Sequence, residues 1–296
     1  MLGKNKIIIG ARGSKLSLAQ TALVVQALKE KHPELVIEVK IITTKGDVNH
    51  SPIPLDAVGK TWFTAEIEQA LMNGEIDLAV HSLKDMALES PAGLKTVIVL
   101  PRGDCRDALV SKSKKGLLDL PQGSVIGTDS VRRKVLLLDE RKDLVVKSIR
   151  GNVDTRLKKL YEEEYDAVVL AAAGLERLQM LDVATEIFDP AIFLPAPGQG
   201  ILTAQARSDQ DEIIKMLQDI EHSPTRIAAE AELGFSRAIG GGCKTPVGCH
   251  AEVKGDSIYI SAIVGNLSDN SVKRESISGP LSDVFELAKE LAKKFL

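Results

Sequence analysis

The sequence predicts an α/β protein, with mostly parallel sheets in two successive lobes and a small α+β domain at the C-terminus. Three observations carry this. Short apolar runs alternate with helix-length amphipathic runs as far as Ile220, the pattern of strands joined by helical crossovers. Two segments rich in Pro and Gly, Pro101–Asp104 and Leu194–Gly200, break the alternation and read as crossings between lobes. Beyond them the pattern changes to three strand-like runs and one last helix. The expected division is 1–100 with a return segment 199–220, then 101–198, then 221–296. A chain of 296 residues, 44% hydrophobic and 27% charged, has material for two or three such domains.

In order, Ile7-Ile8-Ile9 is a buried strand, and Gly10-Ala11-Arg12-Gly13 turns. Ser14 caps a helix to about Lys31, with Leu16, Ala19, Leu23 and Ala27 as its inward stripe. Val36–Ile42 is a strand, Phe63–Asn73 a helix closed by Gly74, and Ile76–Val80 a strand running into His81-Ser82-Leu83-Lys84-Asp85. Thr96–Leu100 precedes the first crossover. In the second lobe the strands are Ala108–Val110, Ser124–Ile126, Leu144–Ile149 and Ala167–Leu170. Gly127-Thr128-Asp129 caps a helix carrying Arg132 and Arg133; Arg150-Gly151-Asn152 leads into a helix carrying Arg156; Ala171–Gly174 opens one carrying Arg177. Ile213–Ile220 and Thr225–Ile239 are helices. The last domain has strands near Ala251–Lys254, Ser257–Val264 and Val272–Ser278, and a helix Leu281–Phe295.

Several function classes are weakened by the totals. A net charge of −3 with 3% aromatic residues argues against nucleic-acid binding. Three cysteines are no disulfide framework. The N-terminal apolar run is too short for a secretion signal and no run reaches membrane-spanning length, so a cytoplasmic protein is expected. Gly59-Lys60-Thr61 suggests a phosphate loop, but Pro54 stands where its first glycine belongs. Cys243, Cys249 and His250 have no usual zinc spacing, and no metal is expected.

Two features point toward acidic ligands. Arginine recurs beside strand ends and helix starts, at 12, 132, 133, 150, 156 and 177, where it can grip carboxylates or phosphates with paired donors. Strand, glycine turn and helix start at Arg12–Ser14 form an anion-friendly corner. Gly240-Gly241-Gly242-Cys243 offers a thiol on a backbone-shaped loop, or simply a small buried residue in a turn.

Taken together, the stations Arg12-Gly13-Ser14, His81–Asp85, Arg106-Asp107-Ala108, Gly127–Arg133, Arg150–Val153, Leu170–Leu175, Leu194–Gly200 and Gly241-Gly242-Cys243 resemble the porphobilinogen deaminase family in order and spacing. The resemblance implies two lobes like those of periplasmic binding proteins, with a ligand cleft between them, and a third domain holding the cysteine. It implies a dipyrromethane cofactor in thioether linkage to Cys243. On that primer four porphobilinogen molecules are joined head to tail with loss of ammonia, in the tetrapyrrole pathway that leads to porphyrins and heme. It further implies Asp85 as the catalytic carboxylate opposite a cationic azafulvene. Cofactor and substrate would be held by Arg12, Ser14, Lys84, Thr128, Ser130, Arg132, Arg133, Arg150, Gly151, Asn152, Arg156, Arg177 and Gln199, under an active-site loop that includes Asp47, Lys60 and Phe63. A monomer is implied.

The chain departs from the family pattern at Asp56, Thr61-Trp62, Met86-Ala87, Thr203-Ala204-Gln205 and Asp129; the last replaces a usual serine with a negative charge close to the arginine pair. A two-lobed, non-enzymatic binder of a small polyanion also accounts for the arginines and crossovers, but not for the cysteine loop.

Overall fold

The computed structural model describes residues 5–48, 64–240 and 245–296. Along the chain, β1 (Lys6–Ala11), α1 (Lys15–Lys31), β2 (Val36–Ile41), α2 (Lys45–Val48), α3 (Ala65–Met72), β3 (Leu78–Ser82) and β4 (Leu94–Val99) come first. Then follow β5 (Asp107–Ser111), β6 (Val125–Gly127), α4 (Val131–Glu140), β7 (Val145–Lys147), α5 (Val153–Glu162), β8 (Ala167–Ala171), α6 (Ala172–Arg177) and β9 (Glu186–Ile187). The last elements are β10 (Leu202–Arg207), α7 (Asp211–Gln218), α8 (Ser223–Ala238), β11 (Val247–Lys254), β12 (Ser257–Gly265), β13 (Val272–Pro280) and α9 (Val284–Lys293). Two compact units result: Met1–Arg102 with Ile201–Arg226, and Gly103–Gly200 with Ile227–Leu296.

The first unit is a five-stranded sheet in the order β2-β1-β3-β10-β4. β1 runs parallel to β2 and β3, and β10 runs antiparallel to both its neighbours. Strand alternation sorts the core: Leu78 and Val80 join Ile7, Ile9, Val24 and Leu217 on one face, while Ala79 joins Ile67 and Leu71 on the other. Because β1 and β3 are parallel neighbours, Arg12 after β1 and His81–Asp85 at the end of β3 emerge at the same sheet edge. Such an edge is where α/β sheets place ligands.

Two differences from the sequence reading stand out here. β10 was not foreseen; its Thr203 and Gln205 are fully buried, where Thr203 Oγ1 donates to Val97 O at 2.8 Å and Gln205 Nε2 donates to Glu68 Oε1 at 3.3 Å. The inward face of α1 is Ser17, Gln20, Thr21, Val24 and Leu28, one position on from the expected stripe, and Leu23 is exposed. The helix is apolar on more than one side, so periodicity alone does not choose a face. Polar partners do: Thr21 Oγ1 donates to Ser17 O, and Gln20 Nε2 donates to Ser82 Oγ at 2.9 Å.

In the second unit a mixed sheet of order β7-β6-β8-β5-β9 packs helices on both faces. β6 is parallel to β7 and β8, so the starts of α4, α5 and α6 cluster at one edge. β5 runs the other way, and its first residue, Asp107, pairs with Ala171 at that same edge. At the chain crossing, Gly200 has φ +85°, and a Cβ there would lie 2.5 Å from Gly103 O, so only glycine fits. The same unit contains the antiparallel sheet β11-β12-β13, covered by α8 and α9 through Phe235, Ile258, Ile260, Leu287 and Leu291.

Candidate functional site

In the first unit the loop after β1 closes on α1. Ser14 Oγ accepts from Ser17 N at 3.2 Å and caps the helix, and Arg12 N donates to Ser17 Oγ at 3.1 Å. The remaining amides of that first turn favour an anion. Arg12, Ser14, Ser17, Gln20, Thr64, His81, Ser82 and Asp85 line a polar recess of about 70 Å³. A larger groove of about 620 Å³ lies between α1 and β2, lined by Leu18, Ala22, Val25 and Val39. Its surface is apolar, so the smaller recess is the chemically competent one.

His81 is buried, and burial, reinforced by the facing charge of Arg12, pushes its imidazole down to about 4. It is therefore neutral at neutral pH, and its Nε2 has no hydrogen-bond partner among the described residues. Asp85 ends a 3₁₀ turn, Leu83–Asp85, that continues from β3. The turn is closed by the backbone, with Met86 N donating to Leu83 O, so Asp85 is not its cap. Its carboxylate is exposed and takes part in no hydrogen bond or ion pair among the described residues. Lys84 beside it is half-buried.

In the second unit Arg132 and Arg133 start α4, whose cap is Ser130, not Thr128 or Asp129: Ser130 Oγ accepts from Arg133 N at 3.3 Å. Thr128 Oγ1 instead accepts from Ser130 N at 3.2 Å. Both arginines turn inward onto Asp107, which is 0% exposed. Arg133 donates through Nε and Nη2 to Oδ1 at 3.1 and 2.6 Å, and Arg132 Nη2 lies 2.8 Å from Oδ2. Gln199 Nε2 adds a bond to Oδ1 at 2.9 Å and another to Cys105 O. Burial alone would raise the Asp107 carboxyl; the two guanidinium charges and these hydrogen bonds outweigh it and hold it below the usual carboxylate range. Arg132, Arg133 and Gln199, expected as ligand contacts, are thus committed in large part to an internal cluster. That cluster sets two buried cations against one carboxylate, and Arg132 Nε has no partner among the described residues.

Asp129, expected close to this arginine pair, forms its ion pair with Arg150: its Oδ2 lies 3.1 Å from Arg150 Nε. After Arg150, Gly151 has φ +117°, and a Cβ there would come within 2.6 Å of Thr155. Asn152 then caps α5 by accepting from Thr155 N at 2.9 Å. Arg156 Nε donates to Gly151 O at 2.8 Å, and Arg177 Nη2 to Gly200 O at 2.6 Å. Cys243, Lys60 and Phe63 lie outside the described residues, and Asp47 falls in the short helix α2. Asp107, Ser17 and Gln20 were not foreseen as site residues. An acid opening an apolar strand, and the polar stripe Ser14, Ser17, Thr21 on an apolar helix, were the available signals.

Fold and sites together define a class: an α/β protein with arginines and helix starts gathered at its strand ends, and a carboxylate, without a partner among the described residues, beside an arginine and a helix start. The comparisons with known proteins sharpen this. Residues 7–215 match the family described as "Porphobilinogen deaminase, dipyromethane cofactor binding domain", and residues 226–296 match "Porphobilinogen deaminase, C-terminal domain". A porphobilinogen deaminase of Roseiflexus castenholzii is 43% identical, over 99% of this chain and 96% of the relative. One of Thermus thermophilus is 44% identical, over 98% of this chain and 95% of the relative. The periplasmic aliphatic sulphonate binding protein SsuA from Escherichia coli superposes with a TM-score of 0.43 at 17% identity, covering 81% of this chain and 76% of that one. The chain belongs to the porphobilinogen deaminase family.

Proposed function

We propose that this chain joins four porphobilinogen molecules head to tail, releasing one ammonia from each, and delivers the linear tetrapyrrole hydroxymethylbilane from a dipyrromethane primer held on Cys243. One observation carries the reading beyond family membership: Asp85 presents a carboxylate with no partner among the described residues just past a strand end, in a recess shared with Arg12 and the start of α1.

The residues present fit the primer. Each of its rings carries an acetate and a propionate, and the Arg132–Arg133–Asp107 cluster has surplus positive charge and an orphaned donor, Arg132 Nε. Arg150 and Arg156, with the start of α5 at Asn152, would hold further carboxylates of primer and substrate. Thr128, Ser130 and Gly151 shape the loops that bring these groups together, while Gln199 acts by fixing Asp107. When bound, the primer supplies the unsubstituted pyrrole carbon to which the first substrate is joined.

Arg12 and Ser14 orient substrate carboxylates beside Asp85. As the C–N bond of the aminomethyl group breaks, positive charge spreads into the substrate's pyrrole ring, and Asp85 stabilises it. The amine, protonated as ammonium, leaves as ammonia, and the same carboxylate receives the proton lost from the ring carbon that forms the new bond and releases it to solvent. Lys84 beside it, together with Asp47, Lys60 and Phe63, is assigned to substrate contact by family resemblance. Arg177 is assigned to the later carboxylates of the growing chain.

In the domain division at 1–100 with 199–220, 101–198 and 221–296, the boundaries near 100 and 199 are supported by the two compact units, and the one near 221 by the break between the two family matches and by the separate sheet β11-β12-β13. A cytoplasmic monomer is the proposed working state; among the described residues no helix is long and apolar enough to cross a membrane. The test is stoichiometry with porphobilinogen. Four ammonia molecules per tetrapyrrole support the reading, and binding without ammonia release overturns it in favour of a binding protein.

A further inference from the structure

Asp129 and Arg150 follow adjacent parallel strands, β6 and β7, whose register sets their side chains against each other. Asp129 Oδ2 lies 3.1 Å from Arg150 Nε, and both side chains are 30% exposed. Asp129 Oδ1 accepts from Ser148 Oγ. The segment carrying Ser148 is itself tied down, since Tyr165 donates through its hydroxyl to Ser148 O at 2.6 Å. The carboxylate is therefore held from two directions on one edge of a guanidinium. A ligand carboxylate that grips arginine side-on needs Nε together with a terminal nitrogen. With Asp129 on Nε, that mode is closed until Asp129 moves.

We propose that Asp129 is an internal stand-in for a ligand carboxylate, displaced from Arg150 by an acetate or propionate of the pyrrole substrate. It thereby sets how tightly the second unit holds acidic pyrroles. The inference rests on the reading that Arg150 grips such carboxylates. The exchange replaces one carboxylate by another on a cation that stays paired. What opposes it is one partly exposed ion pair, equivalent to roughly a two- to fivefold effect on affinity, with a smaller share from the Ser148 hydrogen bond.

The test uses the cofactor-loaded enzyme. Asp129→Asn and Asp129→Ser should each lower KM for porphobilinogen by about two- to fivefold without raising kcat. Inorganic sulfate, as a competing anion, should inhibit both variants at correspondingly lower concentration. Ser148→Ala, which removes one anchor of Asp129 and no charge, should shift KM the same way by less. In an Arg150→Ala background, Asp129→Asn should change nothing further. If KM rises or holds steady in both Asp129 variants while their melting temperatures match wild type, the stand-in role is wrong. A raised KM would make Asp129 a positioning residue for Arg150. If Arg150→Ala alone keeps wild-type KM and sulfate sensitivity, the underlying reading of Arg150 fails, and that result is separate from the behaviour of the Asp129 variants.

Discussion

Replacing Asp85 by Asn keeps the shape of the side chain and removes its charge. Asp85 is exposed, accepts no hydrogen bond among the described residues, and leaves its turn to be closed by the backbone. The fold therefore loses nothing specific: a change within about 0.5 kcal/mol, or a melting shift of roughly 1–2 °C, is expected. Catalysis should lose a charge-stabilising group at the reacting centre, which costs about 3–4 kcal/mol and lowers the rate by roughly 10²- to 10³-fold. Asp85→Glu keeps the charge one methylene further out. It should recover part of the activity, since misplacement by about 1 Å can itself cost ~10²-fold. The assay is steady-state ammonia release by cofactor-loaded protein, with porphobilinogen binding measured alongside. A rate for Asp85→Asn within a few-fold of wild type would refute the catalytic assignment. Large destabilisation would refute the claim that Asp85 has no structural duty.

Two further predictions concern buried titratable groups. Asp107→Asn leaves Arg132 and Arg133 without their counter-charge and should destabilise the protein by about 3–5 kcal/mol in urea unfolding. Asp107 is held below its unfolded pKa of about 3.9, so its stabilisation is complete above roughly pH 4 and is lost as pH falls further; the variant should lack this acid-sensitive component. His81 works in a different window. The unfolded chain takes up a proton near pH 6.5 that the folded chain refuses until about 4, so stability should fall as pH drops across that range, by up to about 3 kcal/mol. His81→Asn should flatten the slope between these limits, and an unchanged slope would contradict the burial argument.

The sequence was most legible where one physical requirement acted alone. Short apolar runs marked β1, β3, β5, β6 and β8, and capping chemistry marked Ser14. It was least legible where polar groups are buried with partners distant in sequence. β10 was assigned no element, and its Thr203 and Gln205 are buried on Val97 and Glu68, more than a hundred residues away. The inward face of α1 was misjudged for the same reason, since Ser82 decides where Gln20 points. At the candidate site the arginines were found by their position beside strand ends, but their allegiances were not. Arg132 and Arg133 answer to Asp107, and Arg150 to Asp129, through pairings that only the sheet order creates.

The central claim is that the chain builds its product on a covalent primer at Cys243. The intact mass of the denatured protein after incubation with porphobilinogen, compared with Cys243→Ala, tests it most directly. The account predicts that wild type exceeds its sequence mass by two porphobilinogen units less two ammonia molecules, and that Cys243→Ala stays at its sequence mass. An unmodified wild type, or an adduct that persists in Cys243→Ala, would contradict it.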